Sequence, residues 1–247
     1  MSPIESNLQH VRAGLDVANA ALPGAARVPV TLVAVSKAKP EADIRAAFDA
    51  GQRDFGENYV QEAVAKIDAS APLRSLGMVW HFIGPLQSNK AKLVARNFDW
   101  MQTVDRLKIA RALSEHRTGL LVLPALPALN VCIQVNVSGE SSKSGVEPAD
   151  APALAREIVP LPGLKFRGLM TVIENTPDES ARRAQFRMMK GLFESMKRVW
   201  PEIDTLSMGM SDDYALAIAE GATMVRIGGA IFGARAKPGG DKLGAGA

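Results

Sequence analysis

Lys37 stands at the tip of an apolar run in "VTLVAVSKAKP", residues 30–40. A lysine that ends a strand is most often a solvated surface group, and Lys39 and Lys143 are expected to be that. Where a strand end opens over the mouth of a barrel, partial desolvation favours the neutral amine, the form that attacks a carbonyl. Far along the chain, "LSMGMSDD" brings Ser207, Gly209 and Ser211 to the start of a helix expected near Asp212, and Gly228 and Gly229 follow "MVRI". Hydroxyls and free N–H groups at a helix start converge on anions, and glycine lets a second backbone approach closely. Taken singly, Gly209 and Gly228 fit tight turns and Ser211 fits an N-cap equally well. Two such loops at adjacent strand ends favour a phosphate site.

A nucleophilic amine facing a phosphate site suits an aldehyde that carries a phosphate, and pyridoxal phosphate (PLP) is such a molecule. Arg226, two residues before Gly228, then lies where it can meet the pyridine nitrogen. An acid there would keep that nitrogen protonated and the ring a strong electron sink, whereas arginine, a permanent donor, leaves it unprotonated. A salt bridge under the rim is the plainer reading of Arg226.

These residues need elements to position them. Short β-rich apolar runs occupy 30–36, 54–56, 79–83, 99–103, 130–137, 165–172, 203–208 and 223–228, with helical patterns between them. Runs such as "VTLVAV" and "NVCIQVNV" lack polar alternation, as expected of parallel strands covered on both faces. Eight βα units predict an α/β fold, a single (β/α)8 TIM barrel with an extra N-terminal helix, and such barrels keep their chemistry at the C-terminal strand ends. The rival is an open doubly wound sheet, but the glycines near "FGENYVQE" form no G-x-G-x-x-G turn. Ser2 and Glu5 have capping-box spacing with Pro3 at the first helical position, and Leu8, Val11, Leu15 and Leu22 follow at helical intervals. Ile44, Ala47 and Phe48 mark one helix face, and Phe186, Met189, Phe193, Met196 and Trp200 mark another, read as core packing. The segment 117–130 is expected to be an irregular excursion. The barrel domain is expected to span 1–235, with 236–247 a flexible Gly-rich tail.

Composition narrows the function classes. In 247 residues, 47% are hydrophobic and 22% charged, an ordinary globular balance. A net charge of +3 with 5% aromatics offers no basic stripe for nucleic acid. No apolar run approaches the ~20 residues of a membrane span, so a cytoplasmic protein without membrane contact is expected. Cys132, the single cysteine, excludes an intrachain disulfide and a cysteine-rich metal site, and it reads as core.

The segments "AVSKAKP", "FGENYVQEA", "WHFIGPLQSNK", "TVDRLKIA", "QVNVSGESSKSG", "FRGLMTV" and "LSMGMSDDYALAIAEGATMVRIGGAIFGAR" together resemble the pyridoxal phosphate homeostasis protein family, stand-alone barrels related to the N-terminal domain of alanine racemase. The resemblance covers about residues 30–235. It implies that Lys37 is the Schiff-base lysine, Arg226 the ring-nitrogen partner, and Ser207, Ser211, Gly228 and Gly229 the phosphate cradle. Asn58, His81 and Met170 would line the cofactor, although His81, between Trp80 and Phe82, reads equally as a satisfied core residue. Relatives often carry a hydroxyl or another small residue where Gly229 stands, so only its backbone is left to serve the phosphate. The resemblance implies binding, buffering and delivery of PLP, with PLP-dependent apoenzymes as partners and consequences for amino-acid and keto-acid balance. No metal is implied. The related racemases draw a second base, and their dimer interface, from a domain missing here, so a monomer without turnover is expected. The alternatives are a weak amino-acid racemase using Lys37 with Tyr59 or His81, and a sugar-phosphate enzyme acting through a lysine imine.

Overall fold

In a computed structural model, the chain is described at residues 2–24, 27–119, 126–139, 144–174 and 176–234. Eight parallel strands close into a barrel in sequence order: β1 (Thr31–Val35), β2 (Asp54–Glu57), β3 (Val79–Phe82), β4 (Trp100–Val104), β5 (Leu129–Gln134), β6 (Leu164–Met170), β7 (Thr205–Ser207) and β8 (Met224–Ile227). β1 closes the ring on β8, with Val33 opposite Arg226 and Ala34 opposite Ile227. The helices are α1 (Pro3–Ala20), α2 (Glu41–Asp49), α3 (Val60–Ala69), α4 (Ala71–Arg74), α5 (Ala91–Asn97), α6 (Leu107–Thr118), α7 (Ala151–Ile158), α8 (Glu179–Lys197), α9 (Tyr214–Ala219) and α10 (Gly229–Phe232).

Local chemistry explains the elements. Ser2 and Glu5 form the reciprocal capping box at the start of α1, and Leu8, Val11 and Leu15 are its buried face. Asp178 caps α8 by accepting from Ser180 and Ala181, and Phe186, Met189, Phe193 and Met196 are buried as the spacing predicts. Trp200 meets Phe166 edge to face at 6.1 Å. Each strand buries both faces, so apolar runs are the rule. The outward face packs under the helices, with Phe55, Trp80, Phe82 and Met101 fully covered. The inward face forms a smaller cluster of Val33, Trp100, Cys132, Met170 and Met224. Cys132 is the core residue expected, and burial pushes its thiol up to about 12, so it holds no reactive thiolate.

β7 is shorter than the run 203–208, although Met208 N still donates to the Met224 carbonyl at 3.1 Å and Arg226 N to the Gly209 carbonyl at 3.0 Å before the chain leaves β8 for the rim loop. α9 starts at Tyr214 rather than near Asp212, because residues 211–213 form a turn closed by the Asp213 carboxylate, which accepts from Met210 N at 2.6 Å. Of the 117–130 segment, 120–125 lie outside the described residues, as do 236–247 and Lys143. No helix among the described residues is long and apolar enough to cross a membrane, and no cluster of three or more metal-ligating side chains occurs among them.

Candidate functional site at the barrel mouth

The period of two along β1 sends Val33 and Val35 toward the same side, and Lys37 follows in the turn after the strand. Val35, Lys37 and Lys39 line a cavity of about 180 Å³ with Gly228, Gly229, Gly233 and Ala234. The amine at the end of β1 and the glycines after β8 therefore share one space because β1 and β8 are neighbours. A side chain at Gly228 would bring its Cβ to 3.1 Å from the Val35 carbonyl oxygen, whereas at Gly229 a Cβ would meet nothing within 4 Å. The room beside Gly229 is open to a ligand. Lys39, expected to be solvated, instead donates to the carbonyls of Phe232, Gly233 and Ala234 at 2.8, 3.1 and 2.9 Å. It ties the end of α10 to the end of β1.

Arg226, on β8 two residues before Gly228, is buried, 4% exposed. Burial pushes its guanidinium down to about 10, against the pull of Asp213, so it remains a cation at neutral pH. Its Nη1 donates to Ser207 Oγ at 2.6 Å and its Nη2 to the Thr171 carbonyl at 2.7 Å. The contacts continue inward. Ser207 Oγ donates to Gln102 Oε1 at 2.7 Å, Gln102 Nε2 meets His81 Nδ1 at 2.9 Å, and His81 Nε2 meets Asp54 Oδ1 at 2.9 Å. Arginine can only donate and a carboxylate only accept, so the two ends set the polarity: His81 accepts at Nδ1 and carries its proton on Nε2. His81 also stacks on Trp100 at 5.2 Å. A hydrogen-bonded line thus runs down the barrel from the mouth to Asp54, each member on an inward position of β8, β7, β4, β3 or β2.

The remaining expected residues occupy distinct places. Ser207 and His81 are fully buried within the line, with the Ser207 hydroxyl committed to Arg226 and Gln102. Met170 is buried in the inward cluster. Ser211 lines a neighbouring depression with Arg182, Arg183, Asp212, Asp213 and Tyr214. Asn58 lines a cleft with Tyr59, Gln61, Leu86, Lys90 and Arg106, and its Oδ1 is buried without a hydrogen-bond partner. Gln102 and Asp54 are the members of this line that reading the sequence missed. The signal of Gln102 was present: a polar residue two positions from Trp100 in "WMQTV", on the inward face of a wholly buried strand. Gln102→Leu leaves His81 Nδ1 and the Ser207 hydroxyl facing hydrocarbon, and is expected to cost about 2–4 kcal/mol in urea unfolding.

Fold and rim define a (β/α)8 barrel that presents a lysine and a glycine-lined cavity together at its C-terminal mouth. The family model for the alanine racemase N-terminal domain matches residues 6–236. The chain belongs to the pyridoxal phosphate homeostasis protein family: it is 52% identical to the protein of that name from Pseudomonas aeruginosa over 237 residues, covering 95% of this chain and 97% of the relative. It is also 52% identical to the Escherichia coli protein of that name over 241 residues, covering 95% and 98%. Among solved structures, PipY of Synechococcus elongatus with PLP bound matches at 36% identity and TM-score 0.78, covering 93% of this chain and all of PipY. Alanine racemase of Clostridium difficile, at 16% identity and TM-score 0.69, shares the fold.

Proposed function

We propose that this chain binds PLP at the barrel mouth and serves PLP homeostasis, holding the cofactor and delivering it rather than turning over a substrate. The observation that carries the reading is the shared cavity: Lys37 and the Gly228–Gly229 backbone line one space beside a PLP-binding relative's fold. Two features of the chain fit the cofactor. The space beside the Gly228 and Gly229 backbone is open to a phosphate, and the buried Asn58 Oδ1 lacks a partner that the ring hydroxyl would supply. Lys37 supplies the amine for a Schiff base, Arg226 faces the ring nitrogen, and Gly228, Gly229 and Ser211 hold the phosphate, with Asn58 and Met170 flanking the ring. Ser207 and His81 act from below, by holding Arg226. Bound PLP supplies a reactive aldehyde, and beside a permanent donor its ring is a weak electron sink.

A non-catalytic role is supported by the state of the candidate second bases. Both His81 nitrogens are engaged inside the barrel, and Tyr59 is 58% exposed on the rim. PLP-dependent apoenzymes are the recipients in this reading, and effects on amino-acid and keto-acid balance follow from their supply. The protein acts in the cytoplasm as a single chain. Mixing the PLP-loaded protein with a PLP-dependent apoenzyme is expected to restore that enzyme's activity, while the loaded protein alone exchanges no α-proton of added amino acids with deuterated water. An apoenzyme left inactive beside fully loaded protein would overturn delivery, and steady deuterium incorporation would overturn the absence of turnover.

A further inference from the structure

The end of β1 turns sharply at Lys37. Ala38 has φ +58, the one non-glycine residue with positive φ among those described, and a side-chain-bearing residue holds such a conformation only where its surroundings impose it. Those surroundings are three charged side chains from β2 and α3. Lys66 is buried and uses all three ammonium protons: on the Ser36 carbonyl at 2.8 Å, on Glu57 Oε1 at 2.8 Å and on Glu62 Oε1 at 2.6 Å. Glu57 Oε1 also accepts from the Ser36 hydroxyl at 2.7 Å, and Glu62 Oε1 from the Ala38 N–H at 2.6 Å. The Ser36 carbonyl belongs to the peptide before Lys37, and the Ala38 N–H to the peptide after it. Pinning both peptide planes fixes φ and ψ at Lys37, and so fixes the direction of its Cα–Cβ bond. Glu57 is fully buried, and its second oxygen has no partner. Burial raises its carboxyl against the pull of Lys66 and Ser36. Such a costly group is more than a surface ion pair.

We infer that Glu57, Lys66 and Glu62 are positioning residues for Lys37, a clamp that aims its amine at the carbonyl of the bound ligand. The inference rests on the reading of Lys37 as the Schiff-base lysine. Glu62 is the member to test, because its side chain is one-third exposed and its removal leaves the buried Lys66–Glu57 pair intact. Wild type, Glu62→Ala and Glu62→Gln are titrated with PLP and, separately, with pyridoxine 5′-phosphate, which has the same ring and phosphate but no aldehyde. Glu62→Ala is expected to weaken PLP about tenfold, the effect of losing one charge-assisted hydrogen bond, while pyridoxine 5′-phosphate binds as in wild type. Glu62→Gln, which keeps the acceptor for Ala38, is expected to restore most of the loss. Equal weakening of both ligands means that the cluster only supports the fold, and no change in either means that it does not aim the lysine. Either result overturns the clamp. If wild type itself fails to yield a borohydride-stable adduct at Lys37, the reading of Lys37 falls and takes the clamp with it.

Discussion

Lys37→Ala is expected to abolish the visible imine band of the PLP-loaded protein and to weaken PLP binding on the order of a hundredfold, or about 2.7 kcal/mol. Binding is not expected to vanish. The glycine-lined space beside Gly229 and the cation at Arg226 do not depend on the amine, so a non-covalent complex survives with its phosphate contacts. Titration of the variant, followed by PLP absorbance and by equilibrium dialysis, separates the two terms. An affinity equal to wild type would mean that the lysine contributes little to holding the ligand.

The second large effect is expected at Arg226. Its guanidinium is buried and gives hydrogen bonds to Ser207 Oγ and the Thr171 carbonyl. A carboxylate in its place would face that carbonyl, so Arg226→Glu is expected to cost roughly 3–5 kcal/mol in urea unfolding, the usual penalty for an uncompensated buried charge. In the protein that remains folded, the acid would protonate the ring nitrogen and strengthen the electron sink. Conversion of bound PLP to pyridoxamine phosphate by added amino acids is then expected to speed up at least tenfold, on the scale of general acid–base effects. Loss of stability without a change in this side reaction would remove Arg226 from the ring nitrogen.

The barrel was legible because its strands are buried on both faces. Apolar runs such as "VTLVAV" and "NVCIQVNV" resemble no half-exposed strand, and the helical stripes match the buried faces of α1, α2 and α8, except that Leu22 and Trp200 fall beyond the ends of α1 and α8 and are half-buried. Strand ends were less legible: the apolar character of Val172 and Ile203 extends beyond the paired residues of β6 and β7, so neither strand matches the bounds of its run. At the rim, Lys37 and Gly228 could be paired because neighbouring strands deliver them. What a linear pattern does not carry is the partner of a polar side chain. Ser207 reads as an anion ligand by its neighbours Gly209 and Ser211, yet the alternation of β7 turns its hydroxyl inward to Arg226 and Gln102. Glu62 and Lys66 are spaced i,i+4 on α3, a spacing common to surface helix pairs, and only the placement of α3 against the end of β1 brings them to the peptides around Lys37.

The account depends most on the covalent competence of one amine. The direct measurement is to incubate the wild-type protein with PLP, reduce it with borohydride, digest it and weigh the peptides. A pyridoxyl group on the peptide carrying Lys37 is predicted. An adduct absent from that peptide, or present only at Lys39 or another lysine, would contradict the site described.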